Sequence, residues 1–463
     1  MARSKPNIRT PAKRSSTARQ GALPKPNAPS SAELQPIAAA EFAEALARLD
    51  IRAPFAIAVS GGADSLALML LAAGWCHEKD MPPPFALTVD HGLRRESASE
   101  ADRVAGWAKT HSVPHKTLKW QGQKPSQNIQ AHARDARYRL FAAWLSKQGV
   151  GTLLTGHTRD DQAETFLLRL ARGSGLDGLS GMAGTAPFPL PGMRHLQIAR
   201  PLLTFSHARL IATLKARGQE WIEDPSNHND RFARVQIRAL GPALADAGIT
   251  QDRIAAAAAN LRRARDAIEV QTAQLIGAAV EITAWGYGLV AVEQFSTAPD
   301  EIALRAFSRL IQVTGGAAYP PRFDQLQAAL TWLTSPKPKA MGRTLGGCRL
   351  VRRAPGIVLV TREEPALLIE NPSLSLTSGQ TGLWDRRVEI TIPKAQGTTT
   401  FEVRALGAAG VKMAGPKATL PALEPRRIAS ALPGVWQGSR LVSAPFLNFH
   451  KEIRASARFI GLK

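Results

Sequence analysis

The sequence predicts a doubly wound α/β domain over residues 36–240, a mostly helical substrate-binding domain over 241–365 and a small β-rich domain over 371–463. Three observations carry this. Between about Pro36 and Phe205, short apolar runs alternate with longer helix-period segments, as βαβ units with a parallel sheet require. Three of those runs end in polar clusters, and an open α/β sheet binds its ligands at such strand ends. From about Asn371 the chain shifts to short Thr-, Val- and Ile-rich runs punctuated by Gly and Pro.

The first 35 residues precede these domains. They are rich in Pro, Ser, Ala, Lys and Arg, with Glu33 the only acid, a composition that predicts a disordered basic tail. Organelle transit peptides share this balance, but Pro6, Pro11, Pro24, Pro26 and Pro29 break any amphipathic helix. A loose electrostatic arm, or a start codon placed too far upstream, is the preferred reading.

Phe55-Ala56-Ile57-Ala58-Val59 reads as a buried parallel strand, and Leu66 to about His77 as a helix. Between them lies Ser60-Gly61-Gly62-Ala63-Asp64-Ser65. A strand, a Gly-Gly turn and a helix start aim several backbone N–H groups at one point, at the positive end of the helix dipole. That arrangement suits a phosphate or pyrophosphate. The glycines let the backbone approach the ligand, Ser60 and Ser65 offer hydroxyls, and Asp64 is best explained as a partner for a phosphate-bound Mg²⁺. The plainer alternative is a capped helix start after a glycine turn. The segment is neither a Walker loop, since no Gly-Lys-Ser/Thr follows, nor a G-x-G-x-x-G.

A second strand, Phe85–Val89, ends in Asp90-His91-Gly92-Leu93-Arg94, and a helix containing Glu100–Thr110 follows. A longer helix from about Asn128 to Lys147 places Arg134 and Arg137 three apart, with Ile129, Ala133, Leu140 and Trp144 as its apolar stripe. Arginines on a helix are usually solvated, and Trp144 reads as core. The third strand, Gly151–Thr155, ends in Gly156-His157-Thr158-Arg159-Asp160-Asp161. The next helix carries Asp161 and Glu164 on one face, with Phe166, Leu167 and Leu170 expected on the buried side. Carboxylates in a first turn are also what the helix dipole favours. His91 and His157 are open to roles as ligand, base or ordinary loop residue, and their surroundings lack zinc-site spacing.

Beyond Arg238 the chain turns Ala-rich and helical, leading into Arg262, Arg263 and Arg265. These, with Arg343, Arg349, Arg352 and Arg353, are candidates to follow phosphates if the partner is RNA. Pro320-Pro321-Arg322-Phe323 with Leu326, Leu330 and Leu333 predicts a further helix.

The formal charge is +22, from 59 Lys+Arg against 37 Asp+Glu. Such a surplus calls for a polyanionic partner, and nucleic acid is favoured because no basic amphipathic helix speaks for a membrane. No apolar run approaches the ~20 residues needed to span a bilayer. The two cysteines, Cys76 and Cys348, fit neither a disulfide framework nor a Cys-x-x-Cys site, which points to a reducing compartment such as the cytoplasm.

Taken together, these residues resemble a known family. Ser60–Ser65 is similar to the Ser-Gly-Gly-x-Asp-Ser loop of the PP-loop (N-type) ATP pyrophosphatases, whose sheet is adenine nucleotide alpha-hydrolase-like. Four further segments resemble the tRNA(Ile)-lysidine synthases within that superfamily. They are His91-Gly92-Leu93-Arg94 with Ser97, Glu100 and Ala101; Asn128, Ala133-Arg134 and Arg137-Tyr138; Gly156-His157 through Asp160–Thr165 to Arg172-Gly173, with Gly178–Met182; and Arg200–Leu203 followed by Trp221–Asn227. The similarity runs from about Phe55 to Arg238.

The resemblance implies a carbon–nitrogen ligase acting on the CAU-anticodon isoleucine tRNA, with ATP and L-lysine as the other substrates. ATP adenylates the C2 oxygen of the wobble cytidine, and lysine then displaces AMP to give lysidine, changing codon reading from AUG to AUA. By the same resemblance Ser60, Gly61, Gly62, Ala63, Asp64, Ser65 and His91 bind ATP, and Asp64 binds Mg²⁺. Arg137, Asp161 and Glu164 hold lysine or steer the activated base, so that Asp64, Arg137, Asp161 and Glu164 form the catalytic set. No protein partner and no membrane are implied. One departure stands out: the family's Arg-Asn-x-Ile/Val-Arg reads Arg234-Val235-Gln236-Ile237-Arg238 here. A PP-loop tRNA thiolase is the nearest alternative, disfavoured by the lack of paired cysteines to carry sulfur. A PP-loop ligase of small metabolites leaves the basic surplus unexplained. A non-catalytic RNA-binding protein with a relic loop has no need of Asp64, Asp161 and Glu164.

Overall fold

Six strands form the sheet of the first unit: β1 (Ala56–Ala58), β2 (Phe85–Asp90), β3 (His115–Lys119), β4 (Thr152–Leu154), β5 (Thr185–Pro187) and β6 (Gln197–Ala199). Their order is β3-β2-β1-β4-β6-β5, parallel throughout except for the edge strand β5. The computed structural model describes residues 34–93, 96–122, 125, 127–190, 192–193, 195–223, 233–338, 340–370, 372–394 and 399–461, without the side chains of Ala233 and Arg234. The predicted tail (apart from its last two residues), Arg94 and Asp224–Asn227 therefore lie outside the described residues. The chain divides into two units, residues 1–263 and 264–463.

Strand alternation decides which helix packs on which face. Ile57, Ala86 and Leu154 point into a core shared with α1 (Ala39–Arg48), α2 (Ala63–Glu78), α3 (Ser97–Thr110) and α7 (His207–Ala216). Their chain neighbours Ala56, Leu87 and Leu153 face the opposite way, against Phe141, Ala142 and Leu145 of α4 (Ile129–Gln148). α2 is apolar on nearly all sides because the sheet covers one face and α1 and α7 the other; Leu66 to Ala72 are all buried. Each such leucine contributes roughly 1.5–3 kcal/mol of burial. α7 is also clamped to α1: Arg209 donates to both carboxylate oxygens of Glu41 (2.9 and 2.7 Å), and this bond, aided by the Ala38 amide, lowers the Glu41 pKa to about 2.

The stripe expected on α4 holds in part: Ala133 is buried, but Ile129 is exposed, and Tyr138, Phe141 and Leu145 supply most of the packing. Trp144 lies edge-on to Phe85 at 5.2 Å, as a core residue would. The remaining helices of this unit are α5 (Arg159–Leu170), α6 (Leu176–Leu179), α8 (Ala233–Asp246) and α9 (Gln251–Ala279), the last running past the unit boundary.

In the second unit, β7 (Val280–Ile282), β8 (Gly288–Ala291), β9 (Gly342–Leu345), β10 (Cys348–Ala354) and β11 (Ile357–Arg362) form an antiparallel sheet in the order β7-β8-β11-β10-β9. It packs on α11 (Asp300–Gly315) and α12 (Phe323–Thr334) through Phe307, Leu310, Leu326 and Leu333, with α10 (Val292–Thr297) alongside. The reading of 241–365 as mostly helical overlooked this sheet. β10 hides its period of two: Cys348 and Leu350 point inward, while Arg349, Arg352 and Arg353 occupy less buried positions. Those arginines and Arg343, candidates to follow phosphate, each also bond within the unit. Arg349 and Arg353 pair with Glu424, Arg352 donates to Trp332, Leu333 and Ser335 carbonyls, and Arg343 to Ala328 O.

The β-rich C-terminal region holds two sheets. One is ordered β12-β15-β16-β17-β18, from Leu374–Thr377, Thr400–Ala405, Pro433–Gln437, Arg440–Ala444 and Phe449–His450. The other is β13-β14-β19, from Thr381–Trp384, Val388–Thr391 and Ser456–Phe459. Helices α13 (Glu364–Glu370), α14 (Gly407–Ala414) and α15 (Pro425–Ser430) complete it around a core of Trp384, Ile390, Val403 and Val435.

Candidate active site

The strand order reverses at β1: β2 and β3 lie to one side, and β4 and β6 to the other. The Ser60–Ser65 loop leaves β1 at this switch point and runs into the first turn of α2. Gly61 has φ +90°, and a Cβ there would meet Ile222 Cδ1 at 2.7 Å, so backbone conformation and packing both require glycine. Ser65 Oγ donates to Gly62 O (2.9 Å) and accepts from Ser60 N (3.1 Å), cross-linking the turn. Ile222 N donates to Gly61 O at 2.9 Å, so the Trp221–Glu223 segment backs the loop. From β4, Gly156 presses against it: a Cβ there would lie 2.9 Å from the Asp64 carbonyl carbon and 3.0 Å from Ser65 N.

Acidic groups gather beside this loop. Asp64 Oδ1 lies 2.7 Å from His207 Nδ1 at the start of α7, and Asp160 Oδ2 accepts from the His207 amide at 2.8 Å. Burial pushes the Asp64 pKa up, and the carboxylates of Asp161 and Asp160 push it further, while the His207 bond opposes them. The His207 pKa is raised in turn, chiefly by that same bond. Asp161 Oδ2 accepts from Thr158 N (2.9 Å), closing the capping box of α5.

Glu164 is buried and accepts from Arg238 of α8, through Nε to Oε1 and Nη2 to Oε2. The buried side expected of α5 is therefore shifted: Glu164 is buried with Ala163 and Thr165, Phe166 and Leu167 are half-buried, and Leu170 is exposed. A buried carboxylate is sustainable because a guanidinium meets both its oxygens. Asp64, Asp161 and Glu164 all raise the Arg238 pKa, so these three carboxylates share one electrostatic neighbourhood.

A second group lies past β2. Arg137 donates to His91 Nε2 through Nη2 (3.2 Å) and Nε (3.4 Å), and Trp120 lies edge-on to the His91 ring at 5.8 Å. Asp90 shapes the loop carrying His91 by accepting from Gly92 N (2.9 Å) and Ser97 Oγ (2.8 Å). Burial opposes ionisation there, but these bonds prevail and hold Asp90 below the usual carboxylate range. His157 Nδ1 shares a hydrogen bond with Thr155 Oγ1 at 2.9 Å.

The arrangement is a glycine turn at a helix start with carboxylates beside it, and a guanidinium–imidazole pair at the end of the neighbouring strand β2. Among the described residues, no three His, Cys, Asp or Glu side chains are grouped to cage a metal. Asp64, crowded by Asp160 and Asp161, does suit a Mg²⁺ that takes its other ligands from phosphate and water. Both cysteines are buried, and burial raises the Cys76 thiol to about 11 and Cys348 to about 12, far from the thiolate that sulfur transfer needs.

Sequence reasoning did not nominate His207 or Arg238 for the site. For Arg238 a signal was present, in the family's closing arginine. For His207 the only hint was its place after Ser206, the N-cap of α7.

The strand, glycine turn, helix start and flanking carboxylates define a PP-loop nucleotide-binding protein, and residues 34–244 match the PP-loop domain family model. Curated relatives named tRNA(Ile)-lysidine synthase match most of the chain. That of Ruegeria pomeroyi is 39% identical, covering 84% of this chain and 87% of its own. That of Wolbachia pipientis is 37% identical over 75% and 78% of the two chains, and that of Bradyrhizobium diazoefficiens 42% over 64% and 83%. The chain belongs to the tRNA(Ile)-lysidine synthase family. Among the described residues, no helix is long and apolar enough to cross a membrane.

Proposed function

We propose that this protein uses ATP to ligate free lysine to C2 of the wobble cytidine of the CAU-anticodon isoleucine tRNA, in the cytoplasm. The observation that carries the reading is the grouping of Asp64, bonded to His207, with Asp161 and Glu164 about Arg238, which is bonded to Glu164. An ATP pyrophosphatase loop lies beside groups that suit a cationic amine.

The Ser60–Ser65 amides and hydroxyls hold the phosphates that leave as pyrophosphate once the C2 oxygen is adenylated. Asp64 would hold Mg²⁺, which when bound offsets pyrophosphate charge. Asp161 and Glu164 take the lysine ammonium, and Arg238 limits the negative charge that Glu164 adds. One of the two carboxylates accepts the proton the amine sheds during attack, because a cationic amine has no lone pair to offer. Arg137, held by His91, steers the lysine carboxylate or the activated base. The 1–35 tail and the second unit's basic surface supply further tRNA contact.

The test is direct. ATP, Mg²⁺, labelled lysine and the CAU-anticodon transcript should together yield labelled RNA. Active protein that incorporates no lysine refutes the reading.

A further inference from the structure

Several guanidinium groups of the first unit gather on the carboxyl side of the sheet. Arg200 follows β6 directly, so it lies beyond the end of the strand paired with β4. Its Nη1 donates to Ala183 O at 2.8 Å, and its Nε is buried with no hydrogen-bond partner among the described residues. Arg262 of α9 donates to Gly181 O (2.8 Å) and Ser180 O of the same loop. Arg134 of α4 lies over the buried Tyr138 ring at 5.0 Å, and that ring is fixed edge-on to Phe188. Burial holds Arg200 below the usual arginine range; the Tyr138 phenol opposes it, and smaller repulsions from Arg134 and Arg262 add to it.

Among the described residues, no carboxylate pairs with Arg134, Arg137 or Arg200. Elsewhere in the same unit Arg48, Arg139, Arg159, Arg209 and Arg238 each have one. Arg134 on its phenol ring and Arg200 on its backbone carbonyl repel one another, and a bound anion removes that cost. Planar, multi-donor guanidinium groups match phosphate oxygens in particular.

We infer that Arg134 and Arg200 form a binding site for a phosphodiester of the RNA substrate, beside the reacting nucleotide. The identity of the RNA rests on the ligase reading above; the anion chemistry does not. ATP is the other source of phosphate, but β6 lies two strands from β1, roughly 10 Å from the glycine turn at the usual strand spacing. That offset suits a second phosphate, and a base drawn out for chemistry needs its flanking backbone held.

The test uses the full chain and the CAU anticodon stem-loop, with affinity measured at several salt concentrations. Arg134→Gln and Arg200→Gln should each weaken RNA binding about tenfold. Each should lower the salt slope by about one, equally for a non-cognate stem-loop, with ATP affinity unchanged. Arg200→Lys should restore part of the loss. Weakened ATP binding with intact RNA binding assigns the phosphate to ATP and overturns the proposal, as does no change in either. Should Arg200→Gln unfold through loss of the Ala183 bond, Arg134→Gln, which sits on a ring, decides the matter. Wild-type protein that binds the stem-loop but transfers no lysine to tRNA fails the ligase reading and leaves the arginine result legible.

Discussion

His207 Nδ1 lies 2.7 Å from Asp64 Oδ1, joining the first residue of α7 to the first turn of α2. The bond raises the His207 pKa above 6.5 and thereby links fold stability to pH. A raised histidine contributes fully below its unfolded value and loses that contribution as pH rises through the folded one. Without Mg²⁺ or ATP, wild type should therefore melt above His207→Ala at pH 6, with the gap narrowing toward pH 9. A gap that widens with pH contradicts the charged pair.

Asp161 has two separable roles. Its Oδ2 caps α5 through Thr158 N, and its charge faces the lysine pocket proposed above. Asp161→Asn keeps an acceptor, so melting should hold while KM for lysine rises at least tenfold. Asp161→Ala should also lose the capping-box bond to Thr158 N, at about 1 kcal/mol. Equal lysine kinetics in wild type and the Asn variant would leave Asp161 a cap alone.

Glu164 and Arg238 are unequal partners, since the carboxylate is buried and the guanidinium is half exposed. Removing Arg238 strands a buried charge and should cost about 3 kcal/mol, whereas Glu164→Gln frees an arginine that water can solvate. Chemical denaturation should rank Arg238→Ala below Glu164→Gln in stability. The Gln variant should nonetheless be the poorer in lysine affinity.

Gly156 is needed for closeness rather than for conformation. Its added Cβ would meet Asp64 and Ser65 backbone at about 3 Å, and neither can yield without moving the loop. Gly156→Ala should cost 1–3 kcal/mol, by the usual range for overpacking. ATP affinity should fall more than lysine affinity; an equal fall would mean general loosening.

Local signals were legible where the chemistry is local. The Ser60–Ser65 loop, the strands on either side of it and the capped start of α5 each arise from neighbouring residues: an apolar run, a glycine turn, an i, i+3 pair. β6 was missed because Gln197-Ile198-Ala199 lacks the apolar run that marks β1 and β4, and β10 because Arg349, Arg352 and Arg353 interrupt its apolar residues. With β6 unseen, Arg200 was not recognised as standing at a fourth strand end.

The sequence by itself determined three strands of the first sheet with the helices that follow them, the phosphate-binding turn and the family, because these depend on residues close in the chain or on an ordered set of motifs. Only the tertiary structure decided that His207 meets Asp64 across 143 positions and that Arg238 meets Glu164 across 74. Such pairings are set by which face of a helix the core covers, and a burial choice made by the whole sheet has no local signature.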